Sequence, residues 1–159
     1  MYGRNTHKTG VGAAVTVGET ALMPPAYRPG METAVVTGAS RGVGAAVAEL
    51  FADRGVHVVL CAREQDTVEA IADDIERVGG AATAMRVDVR DEFDVERLME
   101  TAARAGRTGG IDCVIANAGV YHGPAGETPL SEVAYSVFDD TLRTNVRGVF
   151  ATLREAVPH

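Results

Sequence analysis

The stretch Thr37-Gly38-Ala39-Ser40-Arg41-Gly42-Val43-Gly44 decides the fold. It follows the β-branched run Thr33-Ala34-Val35-Val36-Thr37 and leads into Val43, Val47, Leu50 and Phe51, which recur at helical spacing until Gly55. Strand, glycine-rich turn and helix in direct succession place free amides at a helix N-terminus, the arrangement that cradles a phosphate. In this reading Gly38 allows the tight turn and Gly42 lets the backbone approach a pyrophosphate. Gly44 permits close packing of helix on strand. A Walker loop is excluded, because Ala45-Ala46 stand where Lys-Ser/Thr is required.

The same alternation continues along the chain. A second strand is expected at Val56–Cys61, and a helix carries Val68, Ile71, Ile75 and Val78 up to Gly79-Gly80. Thr83–Val87 reads as a third strand. Asp91 is a suitable N-cap for a helix with the stripe Val95, Leu98, Met99 and Ala102. Ile111–Ala116 reads as a fourth strand, and a Gly/Pro-rich loop separates it from a long helix. Ser131 is the expected cap of that helix, with Val137, Leu142, Val146, Val149 and Leu153 as its apolar stripe. Strands that are continuous apolar runs, each followed by a helix, specify a parallel sheet covered on both faces. The fold class expected is α/β, a doubly wound parallel sheet.

Composition sets the outer bounds. Of 159 residues, 46% are hydrophobic and 23% charged, proportions of one globular domain with a core. The net charge of −7 argues against nucleic acid or an anionic membrane as partner, since a phosphate backbone demands a basic surface. No run is long enough for a membrane span. Cys61 and Cys113 both sit in apolar runs and read as buried free thiols of a reducing, cytoplasmic compartment. No Cys/His/acid spacing suggests a metal; His57, His122, the Asp73-Asp74-Glu76 cluster and Asp139-Asp140 read as structural or solvated groups. Residues 1–30 differ from the rest. They carry a net positive charge, lack periodicity and end in Met-Pro-Pro-Ala-Tyr-Arg-Pro-Gly. They read as a disordered extension, or as sequence upstream of a true start at Met31, and the ordered domain is expected at 31–159.

Four motifs in order resemble the short-chain dehydrogenase/reductase family. Thr37-Gly38-Ala39-Ser40-Arg41-Gly42-Val43-Gly44 matches its Thr-Gly-x-x-x-Gly-x-Gly fingerprint. Asp88-Val89 matches the element whose Asp holds the adenine amino group. Asn117-Ala118-Gly119 matches the element that steadies the sheet and lines the cofactor site, and Thr144-Asn145-Val146 matches the helix asparagine of the catalytic Asn-Ser-Tyr-Lys tetrad. The resemblance implies a Rossmann-type sheet of order 3-2-1-4 and a bound NAD(P) cofactor. It implies hydride exchange between that cofactor and a small-molecule carbonyl or alcohol substrate.

Cofactor choice has a physical side. A site selective for NAD places a carboxylate after the second strand to bond the ribose 2′-hydroxyl. Here that strand runs into Cys61-Ala62-Arg63, and the guanidinium groups of Arg63 and Arg41 suit a 2′-phosphate. NADP is therefore expected ahead of NAD, with the neighbouring Glu64 as the opposing feature.

The catalytic pattern departs from the family. Four residues after Tyr2, Tyr27, Tyr121 and Tyr135 stand Thr6, Met31, Ala125 and Asp139, so the chain holds no Tyr-x-x-x-Lys, and its single lysine is Lys8. The resemblance implies a chain ending after about four βα units, with Asn145 its one tetrad member and no turnover by itself. It also implies an apolar edge at the fourth strand and an incompletely covered long helix, which a complementing C-terminal half or a homo-oligomer would bury. A non-catalytic dinucleotide-binding module and a gene remnant are the alternatives.

Overall fold

The computed structural model describes residues 30–107, 109–122 and 128–159. The extension expected at 1–30 lies outside the described residues except for Gly30, as does part of the Gly/Pro-rich loop. β1 (Thr33–Thr37), α1 (Gly42–Ala52), β2 (His57–Ala62), α2 (Gln65–Arg77), β3 (Ala81–Arg86), α3 (Glu92–Ala105) and β4 (Cys113–Ile115) follow one another as strand and helix. A short 3₁₀ turn (Leu130–Glu132) precedes one long helical run made of α4 (Tyr135–Leu142), a π-helical turn (Arg143–Gly148) and α5 (Val149–Ala156).

The four strands form one parallel sheet in the order β3-β2-β1-β4. The two central strands, β1 and β2, are almost wholly buried, as their unbroken apolar sequence requires. Alternation along the strands divides the core in two. Ala34, Val36, Val58 and Leu60 face Ala48, Phe51 and Ala52 of α1 and Val68, Ala72 and Ile75 of α2. Val35, Val59 and Cys61 face the other way, against Val95, Leu98, Met99 and Ala102 of α3 and Ala151 of α5. Cys61 and Cys113 are free thiols, but only Cys61 is buried; Cys113, on the edge strand β4, is half-buried.

Several apolar stripes differ from those expected. In α1 the buried residues are Gly44, Ala48, Phe51 and Ala52, while Val43 and Leu50 are exposed. Val78 is also exposed, one residue past the end of α2. The long helix shows the effect most plainly: Thr144, Gly148, Ala151 and Thr152 are buried, and Leu142, Val146 and Leu153 are exposed. Small residues allow a close approach, and a Cβ added to Gly148 would lie 2.7 Å from Val89 Cγ2. The helix therefore packs by its small face and leaves its large apolar face outward. Ser131 does not cap it; Ser131 belongs to the 3₁₀ turn, and α4 starts at Tyr135 with no side-chain cap from Ala134.

Candidate functional site

A cavity of about 670 Å³ lies against the segments that follow the four strands. Those segments leave the carboxyl ends of a parallel sheet whose order reverses between β1 and β4, the place where such sheets bind ligands. From the turn after β1 come Gly38, Ser40, Arg41, Gly42 and Val43; from the β2 side come Cys61, Ala62, Arg63, Glu64 and Thr67. Val87, Asp88, Val89 and Arg90 follow β3, and Asn117, Ala118, Gly119 and Val120 follow β4. Thr144 from the π-helical turn completes the wall.

The glycine turn owes its shape to two separate constraints. Gly38 and Gly42 have φ of +65° and +61°, a left-handed conformation that side chains disfavour. Gly44 has ordinary helical geometry, and space is its constraint. A Cβ there would lie 2.4 Å from Gly38 O and 2.7 Å from Asn117 Nδ2. Gly44 does not line the cavity; it lets α1 seat against the turn that does. Arg41, the N-cap of α1, makes no side-chain cap hydrogen bond, so the first N–H groups of that helix are not taken up by its cap residue.

Asn117 braces the turn from the neighbouring strand. Its Nδ2 donates to the carbonyls of Thr37 and Gly38 at 3.1 and 3.0 Å. Ala118 N donates to Thr37 Oγ1 at 3.0 Å, and Ala39 N to the Cys61 carbonyl at 3.0 Å. The end of β4 thereby fixes the end of β1 through side chain and backbone together. Burial pushes the Cys61 thiol up to about 12, so it stays a protonated, inert group in the wall.

Asn145 does not line the cavity. It sits in the π-helical turn, a rare geometry often found at functional positions. Its side-chain amide is bonded to Val120, accepting from the backbone N–H at 2.8 Å and donating to the carbonyl at 2.9 Å.

Charge concentrates at the other end. Asp88 is clasped by Arg90, whose Nη2 lies 2.6 Å from Oδ2 and whose Nε lies 2.9 Å from Oδ1. Hydrogen bonding from Arg90 holds the Asp88 carboxyl below the usual carboxylate range, against a partial desolvation; the nearby Arg63 adds to the lowering. Arg90 Nη1 reaches Asp140 Oδ1 at 2.6 Å, and Asp140 Oδ2 is 2.8 Å from His122 Nε2. Asp140 is thus a paired group rather than part of a solvated face, and His122 is its partner rather than a loop bystander. The hydrogen bond from His122, with that from Arg90, lowers the Asp140 carboxyl as well. Asp91 caps α3 as expected, accepting from Phe93 N and Asp94 N, while Asp94 turns away to accept from Asp88 N at 3.0 Å.

The sequence singled out neither Arg90 nor Thr67 nor Val120, while Thr37 and Thr144 stand within its matched motifs without an assigned role. Arg90 was out of reach, because its second partner, Asp140, is fifty residues away and no local spacing announces it. Among the described residues no group of three or more His, Cys, Asp or Glu stands ready to hold a metal ion, and no helix is long and apolar enough to cross a membrane.

The model of the short chain dehydrogenase family matches residues 32–159. The chain belongs to that family. Curated relatives of this chain include L-fucose dehydrogenase of Oryctolagus cuniculus, 37% identical over 126 residues, covering 79% of this chain and 41% of the relative. A-factor type gamma-butyrolactone 1′-reductase (1S-forming) of Streptomyces virginiae is 39% identical over 125 residues, covering 78% and 46%. Among solved structures, a metagenomic short-chain oxidoreductase in complex with NADP superposes with a TM-score of 0.71 at 32% identity, over 80% of this chain and 55% of that one. The chain spans about half the length of the relatives it matches. Its fold is that of the Rossmann-like short-chain dehydrogenases, and its relatives are named as dehydrogenases and reductases.

Proposed function

We propose that residues 31–159 form the dinucleotide-binding domain of an NAD(P)-dependent oxidoreductase and that NADP is the cofactor held. The observation that carries this reading is the cavity itself: every element singled out for a dinucleotide converges on it, from the glycine turn through Arg63 and Asp88 to Asn117-Ala118-Gly119. The residues fit the group. Two left-handed glycines and the uncapped start of α1 suit a pyrophosphate approached by backbone. Arg41 and Arg63 share the cavity wall, exposed and positioned for a 2′-phosphate, with Glu64 beside them. Asp88 is an ionised acceptor suited to an exocyclic amine. When bound, the cofactor would supply hydride chemistry, a hydride given to a carbonyl substrate or taken from an alcohol.

This chain's own residues bind and orient that cofactor. Asn117 fixes the turn that faces the pyrophosphate, and Asn145 fixes Val120 on the wall where the chain leaves β4. No Tyr-x-x-x-Lys pair is present to move the proton, so the chain alone binds cofactor without turnover. Two free thiols suit a cytoplasmic setting.

The test is a fluorescence titration of the purified chain with NADPH and NADH, paired with a hydride assay on carbonyl substrates. Saturable binding with NADPH the tighter ligand, and no turnover, is the expected result. Binding of neither cofactor would sink the reading.

A further inference from the structure

We propose that Arg90 is a positioning residue that gives the cavity its preference for an adenine amino group, by aiming the Asp88 carboxylate and restricting it to a single further donor. The proposal deepens the dinucleotide reading and rests on it. A carboxylate offers about four acceptor positions, two on each oxygen. Arg90 takes both on Asp88 Oδ1, through its backbone N–H at 3.0 Å and Nε at 2.9 Å. It takes one on Oδ2 through Nη2 at 2.6 Å, with Nε a weaker second approach at 3.1 Å. One acceptor position on Oδ2 is left for an incoming N–H. An exocyclic amine supplies such a donor, and a ring carbonyl in its place meets a negative oxygen.

The guanidinium cannot turn away, because it is held from the far side. Asp140 of α4 binds Nη1, and Asp140 is itself held by His122 from the segment after β4. Arg90 therefore stands between two carboxylates, Asp88 and Asp140, whose side chains are 28% and 31% exposed. Asp94 fixes the Asp88 backbone by accepting from its N–H, and Arg63 adds positive charge nearby. The wall at Asp88 is thus tied through α4 to His122, two residues beyond the wall at 117–120, in a loop that shares no sequence neighbourhood with it.

The experiment uses the purified chain and two probes, NADPH and its reduced hypoxanthine analogue, in which a carbonyl replaces the adenine amine. The wild-type chain is expected to prefer NADPH by about tenfold, the size of one charge-assisted hydrogen bond. Arg90→Met brings the two probes within about twofold of each other, as does Asp88→Asn. Asp140→Asn, which leaves Asp88 and Arg90 in place, lowers the preference partway. In parallel, the Asp88 carboxyl is titrated by carbon NMR, where Arg90→Met raises its midpoint whether or not ligand is present. Equal weakening of both probes in Arg90→Met, with the tenfold ratio kept, overturns the proposal and leaves the dinucleotide reading standing. An unmoved Asp88 midpoint overturns it as well. A raised midpoint in a chain that binds neither probe overturns the dinucleotide reading, and the adenine preference falls with it.

Discussion

The side-chain amide of Asn145 holds both backbone groups of Val120, the N–H at 2.8 Å and the carbonyl at 2.9 Å. A side chain used in this way replaces the neighbouring strand that a residue just past β4 lacks. Asn145→Ala removes both bonds and is expected to cost about 1–2 kcal/mol in thermal or denaturant unfolding. Asn145→Asp keeps the acceptor and loses the donor, so it should fall between. Hydrogen exchange at the Val120 amide is the site-specific check: protection is lost in the alanine variant and retained in the aspartate variant. Equal protection in all three would show that the clamp contributes nothing.

Gly42 and Gly44 stand two residues apart and carry different constraints. Gly42→Ala meets open space and bears only the left-handed φ, about 1–2 kcal/mol. Gly44→Ala drives a methyl into Gly38 O and Asn117 Nδ2 and is expected to cost about 3 kcal/mol. Unfolding midpoints of the two variants rank them directly; a Gly42 variant less stable than the Gly44 variant contradicts the packing argument.

These cases show how far the sequence carried the description. The strand order is what the family resemblance implies. The strand–helix alternation, the face of α3, most of that of α2 and the Asp91 cap follow from local pattern, because burial there tracks large apolar residues at the helical or strand period. The long helix does not obey that rule. Its buried face is Thr144, Gly148, Ala151 and Thr152, since close approach to Val89 leaves room only for small side chains. Phe138, Val146 and Phe150 are exposed for the same reason. At the site, the residues within a motif were readable, because a glycine turn or an Asn-Ala-Gly segment is contiguous. The ionic chain of Asp88, Arg90, Asp140 and His122 was not. Its members come from three segments, and only the folded chain brings them together.

The pairing of Asp88 and Asp140 with Arg90, and of Asp140 with His122, has a definite pH consequence. Both carboxyls lie below their ordinary values in the folded chain, through hydrogen bonds from Arg90 and from His122. A lowered folded value means the unfolded chain binds protons first as pH falls, so the contribution is present above the unfolded carboxylate value near 4 and is lost below it. Thermal midpoints should hold from neutral pH to about pH 5 and decline below about pH 4. Arg90→Met should flatten that decline, and an unchanged slope in the variant would remove Asp88 and Asp140 as its source.

Arg41 and Arg63 are expected to divide the cofactors. If their guanidinium groups meet a 2′-phosphate, Arg63→Ala weakens NADPH binding by about tenfold or more and NADH binding by no more than about twofold. Glu64→Gln, which removes the adjacent negative charge, should strengthen NADPH binding modestly and leave NADH unchanged. Parallel titrations at two salt concentrations provide the check, because an ion pair on an exposed wall weakens with salt. Equal losses for both cofactors in Arg63→Ala would assign the arginine to the shared pyrophosphate instead and remove the basis for preferring NADP.

The hydroxyl of Thr33 is buried in β1 and finds no hydrogen-bond partner among the described residues. A Cβ on Gly106 would lie 2.4 Å from that oxygen, so the group is packed tightly as well as unsatisfied. Thr33→Val replaces the hydroxyl with a methyl of similar size and removes the desolvation cost of a buried polar atom. Stability is expected to rise by about 1 kcal/mol, seen as a higher thermal midpoint with unchanged cofactor affinity, since Thr33 lies at the end of β1 away from the glycine turn. A fall in the midpoint would mean that the hydroxyl contributes a favourable contact in the native chain, and that the strand end tolerates no apolar substitute.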